Sequence, residues 1–290
     1  MSGQLTDYTN VIEYLMSKPH IVPRLNALIL DPPEYRFLEF GGKGLQPEKY
    51  TFANFEALKA EDRTATMVAT SFYLVKHEEE EAHPVTIWVV ADAETPAGRE
   101  LVYNVVKHSK TSKNVRVSFV FNPSDTKSIE KGLHLTKAIQ VALETQTMNL
   151  ARNFITKLLK EENVAEIAAG TKTWQDFEVN GMDMKAFTAG LKELSSDFLK
   201  IHSLFVREEL NLMPGENVLI ANGYIVGPVE NDFGMDDIAL LEKYIESYGA
   251  TKLSNELHRL AIFRTADQLS DAVMMTSTLL SGLGSQEVRV

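Results

Sequence analysis

Asp92 and Glu94 place two carboxylates directly after a strongly apolar stretch, in a position where α/β folds often bind ligands. Such a pair could bind a hard cation, but cation sites need several more oxygen ligands than two side chains supply. A helix is predicted to follow, and a carboxylate at its N-terminus would accept hydrogen bonds from free N–H groups and complement the helix dipole. We therefore expect Asp92 to cap that helix and Glu94 to be solvated.

Two histidines, His77 and His83, flank four consecutive glutamates. Imidazole and carboxylate groups bind metals, but this spacing does not match a zinc motif, and a run of like charges is typical of a solvated loop. We therefore predict an exposed loop over residues 77–83 and no metal site. No Ser–His–Asp triad can be assigned from the sequence, because such triads are defined by geometry.

Two short stretches imitate functional motifs. The tripeptide DFG at residues 232–234 copies a protein-kinase motif, but the Gly-rich loop, the catalytic-loop motif and the strand lysine of kinases are missing. The tetrapeptide GGKG at residues 41–44 lacks the spacing of a P-loop and the Ser or Thr that follows its lysine. We interpret the first as a coincidence and the second as a turn.

The composition excludes several classes of chemistry. The chain has no cysteine, so thiol catalysis, disulfides, Cys-ligated zinc and iron–sulfur clusters are excluded. Forty acidic and 29 basic residues give a formal net charge of −11, which argues against binding to nucleic acid or to an anionic membrane surface. No run of about 18 apolar residues and no secretory signal is present, so a secretory parent would have to contain this chain as an excised piece.

The clearest elements form a strand–helix–strand unit. Residues 85–90 are β-branched, aromatic and apolar on both faces, as in a strand that helices cover on both sides. Thr95 and Pro96 are suited to the start of a helix that runs to residue 110. A second apolar strand is predicted at residues 115–121. The order strand–helix–strand predicts a parallel pair.

Helical patterns dominate the next part of the chain, residues 127–212, with one helix near residues 184–205. Strands follow at residues 218–221 and 224–229, joined by the turn signal Asn222-Gly223. Later segments are predicted as a helix (236–248), a polar linker and a last helix (264–283), and earlier ones as a helix (5–16), a strand (36–40) and a helix (65–75). We expect one central mixed sheet with the two apolar strands innermost.

This order of elements resembles a thioredoxin fold with a helical insertion between its two halves. That fold carries a redox Cys-x-x-Cys motif at the start of the helix after its first core strand. The corresponding residues here are Glu94, Thr95, Pro96 and Ala97. The family also has a cis-proline before the hairpin, whereas here residues 215–217 separate Pro214 from the predicted strand. Both departures imply that redox activity is lost.

Several stretches resemble the folding-sensor region of the UDP-glucose:glycoprotein glucosyltransferases, which are quality-control enzymes of the endoplasmic reticulum. They are PVTIWVVADAETPAGRELVYNVVKHSKTSKNVRVSF from Pro84, TQTMNLARNFITKL from Thr145, NGYIVGPVE from Asn222 and MSKPHIVPRLNALIL from Met16. The resemblance implies a tandem thioredoxin-like domain, the third, located in the endoplasmic reticulum lumen. It also implies that UDP-glucose and a divalent cation, calcium, bind in a catalytic domain outside this chain, so no cofactor, no catalytic residue and no activity of its own are expected here.

The fold expectation is α/β: a thioredoxin-like core with a central mixed sheet, a large helical insertion, and helical extensions at both ends. We divide the chain into an N-terminal extension (1–84), the first half of the core (85–126), the helical insertion (127–212), the second half of the core (213–250), and a linker with the last helix (251–290).

The last predicted helix has a wide apolar face with adjacent methionines. Methionine-rich surfaces repack around varied partners, although an apolar stripe also fits an ordinary terminal helix packed on its own domain. We predict that this helix binds clients or shields an apolar surface that does so. The residues concerned are Leu269, Val273, Met274, Met275, Leu279, Leu280 and Leu283.

Two functional hypotheses remain open. In the first, this is a redox-inactive domain that helps to recognise misfolded glycoproteins, because misfolded proteins expose the apolar surface that native ones hide. In the second, it is a spacer that positions client-binding surfaces relative to the distant glucosyltransferase domain. Expected partners are misfolded glycoproteins and neighbouring thioredoxin-like domains of the same chain, with no nucleic acid and no membrane.

Overall fold

A five-stranded mixed sheet forms the centre of the molecule. The computed structural model describes residues 2–19, 26–32, 34–46, 49–76, 82–125, 134–230 and 232–287. The strands are β1 (Arg36–Phe37), β2 (Val85–Ala91), β3 (Val115–Phe121), β4 (Val218–Ala221) and β5 (Tyr224–Val226), in the spatial order β1-β5-β4-β2-β3. Strands β2 and β3 are parallel, and the other neighbours are antiparallel. The predicted central mixed sheet is confirmed.

Helices surround this sheet. They are α1 (Ser2–Ser17), α2 (Phe52–Glu56), α3 (Ala60–Thr70), α4 (Pro96–Ser109), α5 (His134–Thr145), α6 (Met148–Leu158), α7 (Glu161–Ala168), α8 (Met184–Glu193), α9 (Asp197–Glu208), α10 (Met235–Ile245), α11 (Thr251–Leu260) and α12 (Ala266–Glu287). Helix α4 connects β2 to β3, helices α5 to α9 lie between β3 and β4, and α10 follows the β4–β5 hairpin. The predicted strand–helix–strand unit, helical insertion and hairpin are therefore present.

Strand β2 has apolar side chains on both faces because each face contacts a layer of helices. Ile87 and Val89 belong to the larger core cluster, which α4 and α10 help to build. Trp88 and Val90 point to the opposite face, where they pack with side chains from α9 and α12. All seven residues of β2 are buried, as expected for a strand between two layers.

Strand β3 is an exception to the prediction, since we expected both apolar strands to be innermost. β2 is internal, but β3 is the last strand in the sheet order. It is nevertheless buried along its whole length. Its outer edge is covered by residues 71–76, which we call the edge segment: Leu74 exchanges both main-chain hydrogen bonds with Val117, at 2.7 and 2.9 Å. Sequence patterns report burial and not the position of a strand in the sheet: helices α4 and α9 pack against β3, and the edge segment covers its outer edge.

Several predicted boundaries were wrong. The helix expected at residues 65–75 ends at Thr70 and the edge segment follows it, and the helix expected near 184–205 is divided into α8 and α9. The expected linker after residue 250 contains α11, whose Leu253 and Leu257 pack against the core. The sequence-based prediction missed α11 because most of its residues are polar and only one side of the helix is apolar. The five-part division of the chain stays a prediction.

Candidate functional site

Residues 94–97, which the sequence predicts to correspond to a redox motif, lie at the start of helix α4. Thr95 is the N-cap, and its Oγ1 accepts a hydrogen bond from the Gly98 N–H at 3.1 Å. Pro96 occupies the first helical turn, where its missing N–H costs nothing. Gly98 approaches β2 so closely that a Cβ atom would lie 2.0 Å from the Asp92 carbonyl oxygen. This helix start is therefore tightly packed on β2, and that Glu94 and Ala97 stand at the two thiol positions of a redox motif stays a prediction.

The two carboxylates at this position hold loops together. Asp92 accepts from the Glu94 N–H at 3.0 Å, and its other oxygen accepts from the N–H and hydroxyl of Ser124 at 2.8 and 2.6 Å. Glu94 is half-buried and accepts from the Thr136 N–H at 2.9 Å, in the first turn of α5. Two expectations were wrong: Asp92 does not cap α4, because Thr95 does so in agreement with the helix start predicted at Thr95 and Pro96, and Glu94 caps α5 instead of being solvated. No group of three or more potential metal ligands occurs among the described residues.

His83 is also placed differently from the prediction of an exposed loop. Its side chain is buried, its main-chain N–H donates to Ser270 Oγ at 2.9 Å, and burial together with the nearby Arg116 charge lowers its pKa to about 4. The imidazole is therefore neutral near pH 7. Residues 77–81, including His77, lie outside the described residues. Sequence reasoning failed here because helix α12, nearly 190 residues later in the chain, covers His83.

Both imitated motifs have structural roles. Phe233 is buried, and Gly234 precedes helix α10, where its N–H donates to Asp237 Oδ2 at 2.6 Å. In the GGKG stretch, Gly42 has a positive φ of 75° and the Lys43 N–H donates to Asp62 Oδ1 at 2.6 Å. The second is a turn, as interpreted, and neither arrangement resembles a phosphate-binding site.

Helix α12 is docked on the sheet through part of its predicted apolar face. Leu269, Val273 and Met274 are buried, and Met274 joins the cluster that contains Trp88. Met275 is 36 % exposed. The side chains of Leu279, Leu280 and Leu283 lie outside the described part of the chain. The structure therefore brings three of the seven predicted residues together as a buried contact.

Polar contacts that the sequence did not reveal anchor the same helix. The Arg116 guanidinium, fully buried on β3, pairs with Asp271 of α12 at 2.6 Å. It also donates to Thr86 Oγ1 at 2.7 Å and lies over the ring of Tyr73 at 4.0 Å. We call Arg116, Asp271, Thr86 and Tyr73 the arginine latch. Burial raises the pKa of the Asp271 carboxyl, and the adjacent guanidinium opposes this rise. The available signal was a single Arg within an otherwise buried strand, where an unpaired charge would be very unfavourable.

A groove runs along the outer side of the edge segment. Its cavity has a volume of about 790 Å³ and opens between the edge segment, the α5–α6 region and the α11–α12 turn. At the α11–α12 turn, Leu260 and Ile262 are 59 % and 67 % exposed. We call this cavity the edge groove; its apolar wall includes Phe72, Leu74, Met148, Leu257, Phe263 and Leu269.

The fold and the altered site define a class of protein. A parallel β2–β3 pair joined by α4, followed by an antiparallel β4–β5 hairpin and α10, is the arrangement of a thioredoxin-like domain. A family model described as "Thioredoxin-like domain" matches residues 54–281. The chain belongs to this family. Because it contains no cysteine, it cannot carry out the thiol–disulfide exchange for which the fold is often used.

The chain is similar to one segment of much longer proteins. It is 37 % identical over 299 residues to UDP-glucose:glycoprotein glucosyltransferase 1 of Rattus norvegicus and 32 % identical over 287 residues to UDP-glucose:glycoprotein glucosyltransferase 2 of Homo sapiens. Each alignment covers 99 % of this chain and 19 % of the relative. The chain therefore spans about a fifth of the length of these relatives.

Solved structures that match this chain at low identity include the following two. One is a crystal structure of the Trx3 domain of UGGT in a detergent-unbound form, with a TM-score of 0.34 and 21 % identity, covering 61 % of this chain and 94 % of that chain. The other is α-DsbA1 of Wolbachia pipientis, with a TM-score of 0.40 and 11 % identity, covering 61 % of this chain and 92 % of that chain.

In the described residues of the present chain, no helix has the length and apolar character needed to cross a membrane.

Proposed function

We propose that this chain is a redox-inactive client-recognition module within a UDP-glucose:glycoprotein glucosyltransferase of the endoplasmic reticulum lumen, at the position of the third thioredoxin-like domain. The observation that carries the proposal is the alignment of 99 % of the chain with a segment of that enzyme at 37 % identity. UDP-glucose and calcium would be bound by a catalytic domain elsewhere in the parent protein. The partners would be misfolded glycoproteins and the neighbouring thioredoxin-like domains.

The surface beneath helix α12 is suited to this role. Met274 packs against a sheet face that includes Trp88, Val90 and Ile220, so release of the helix would expose aromatic and aliphatic side chains together. Misfolded proteins expose similar apolar side chains, whereas native proteins bury them. A helix that covers such a face can exchange with a client when the two contacts are similar in free energy.

The arginine latch makes this exchange physically reasonable. Arg116 has no exposure while α12 is docked, so its guanidinium has lost its hydration. On release of the helix the guanidinium regains water, which offsets part of the lost ion pair with Asp271. An all-apolar contact of the same area would lack this compensation. A contact that combines apolar packing with this ion pair therefore fixes the position of α12, and it needs less free energy for release than an all-apolar contact of the same area.

A substitution in the buried side of α12 tests the proposal. Val273→Asp places a charge at a fully buried position and should undock the helix, while Gln268→Asp places the same charge at an exposed position of the helix. With Val273→Asp we expect increased binding of an apolar dye and of a denatured glycoprotein, with the control unchanged. Slow hydrogen exchange in β2 must be retained in both variants, which separates undocking from unfolding.

The spacer function is the second candidate, and the full burial of Val273 favours it because a spacer needs no exposed client surface. If α12 undocks in the Val273→Asp variant while binding of the dye and of the client stays unchanged, the spacer function is favoured. Truncation after Phe263 gives a second comparison: a folded sheet with raised client binding agrees with recognition, whereas unfolding would mean that α12 is part of the core. Neither hypothesis expects disulfide reduction or glucose transfer by the isolated chain, and turnover above a heat-inactivated control would contradict both.

A further inference from the structure

The edge segment forms an isolated β-bridge with β3 and leaves part of its own main chain unpaired. Leu74 directs its N–H and C=O to Val117 of β3. In extended backbone, successive residues direct these groups to opposite sides, so we infer that those of Tyr73 and Val75, which both line the edge groove, face away from β3. Arg152 Nη1 donates to the Val75 carbonyl. Within the described ranges, the N–H and C=O of Tyr73 and the N–H of Val75 form no hydrogen bond.

The edge groove supplies an apolar wall next to these free groups. Phe72 is 41 % exposed at its rim, and Met148 and Phe263 line its sides. The volume of about 790 Å³ is large enough for several side chains. An apolar cavity alone would accept many ligands. A cavity beside main-chain donors and acceptors at strand spacing selects one kind, an extended polypeptide with apolar side chains.

We propose that the edge segment pairs with an extended apolar segment of an unfolded polypeptide, which adds to the sheet as an antiparallel strand opposite Tyr73. Both the N–H and the C=O of Tyr73 are available, which is the pattern of a hydrogen-bonded antiparallel pair. Alternate side chains of the bound segment enter the edge groove. This inference rests on the proposed client-recognition function and specifies what is recognised: unpaired main chain together with apolar side chains.

This mode explains discrimination between folded and unfolded clients in a way that apolar contact alone does not. A native strand already uses its main-chain groups in its own sheet, and a native apolar patch presents no free N–H and C=O at strand spacing. Only a polypeptide that has lost its tertiary structure offers both features in one segment. The edge groove differs from the sheet face under Met274 and is open while α12 is docked, although Leu269 of α12 forms part of its wall.

The experiment uses the full chain and a dye-labelled, acetylated and amidated peptide of sequence KLVTLVK. The comparison peptide has the same side chains but carries N-methyl groups at every internal residue, which removes the main-chain donors of those five residues. Fluorescence anisotropy should give a Kd at least tenfold weaker for the methylated peptide. Hydrogen exchange at the amides of Tyr73 and Val75 should slow at least tenfold when the unmodified peptide is present. Equal affinity for the two peptides would overturn strand addition.

Two variants locate the site. Phe72→Asp changes the rim of the groove and should raise the Kd of the unmodified peptide at least tenfold. Met213→Asp changes an exposed apolar residue outside the groove and should leave this Kd unchanged. Equal effects of the two variants would overturn the location. Binding that is insensitive to N-methylation, with denatured glycoprotein still captured, would refute strand addition but keep the proposed function. Absence of binding to both peptide and denatured glycoprotein would refute both.

Discussion

The contribution of the arginine latch to the docking of α12 is open to a direct test through Asp271→Asn. Asparagine keeps the size and a hydrogen-bonding oxygen but removes the charge that faces Arg116 at 2.6 Å. The guanidinium would keep the Thr86 hydroxyl and the ring of Tyr73, and would lose its only ion-pair partner within 3 Å in the described chain. We expect α12 to open more often while the sheet stays folded.

The expected magnitude follows from burial. Removing one partner of a fully buried ion pair costs about 3–5 kcal/mol. The Asp271 side chain is 32 % exposed and Arg116 keeps two neutral partners, so about 2 kcal/mol is a reasonable expectation. Because each 1.4 kcal/mol is a factor of ten in an equilibrium constant, hydrogen exchange in the described part of α12 should accelerate about 30-fold.

Hydrogen exchange followed by mass spectrometry measures this effect in peptides that cover α12 and, separately, β2. Asp267→Asn is a matched control, since its carboxylate is 3.9 Å from Arg116 and 79 % exposed, and it should change exchange little. Equal exchange in α12 of the Asp271→Asn variant and the parent chain would refute the reasoning. Acceleration of the same size in β2 would show that α12 does not open independently of the sheet.

Two further predictions concern stability. His202 is fully buried, its Nδ1 accepts from the Phe121 N–H at 3.0 Å, and burial lowers its pKa to about 4. The unfolded state therefore binds a proton that the folded state does not, so the contribution of His202 to the free energy of unfolding should be complete above about pH 6.5 and fall by about 1.4 kcal/mol per pH unit between pH 6.5 and 4. Urea unfolding should show a smaller slope for His202→Asn than for the exposed-site control His258→Asn, and equal slopes would contradict this. His83, whose pKa is also lowered to about 4, should add a similar slope in both variants. Gly98→Ala should destabilise the chain by about 3 kcal/mol, because the added Cβ atom would lie 2.0 Å from the Asp92 carbonyl oxygen. The control Gly234→Ala, whose Cβ atom would lie 3.7 Å from its nearest neighbour, should cost less than about 1 kcal/mol. Similar urea midpoints for the two variants would show that helix α4 moves freely away from β2.

Local signals were sufficient where an element depends on its own residues. The apolar run of β2, the Thr95-Pro96 helix start and the Asn222-Gly223 turn each have a short-range cause, and all three are present in the structure. The first turn of α3 and the whole of α11 were missed because both stretches are rich in polar residues, which a composition-based prediction assigns to loops or linkers.

For the contact between α12 and the sheet, only the apolar residues were predicted from the sequence. Leu269 and Val273 follow a helical period and are buried as expected. Asp271 was not predicted, since its partner Arg116 is 155 residues earlier in the chain and only the folded topology brings the two charges together. The edge groove was also missed, because its walls come from segments that are far apart in sequence.

Strand and helix periodicity was enough to predict the class of fold, and the absence of cysteine excluded thiol chemistry. The arginine latch and the edge groove, in contrast, arise only in the folded chain. Tertiary structure placed β3 at an edge and covered it with the edge segment, whose main-chain groups stay partly unpaired. It also buried Arg116 beneath α12. These features depend on contacts between residues distant in the chain, and the free energy of such contacts is fixed by the packed arrangement and not by any local pattern.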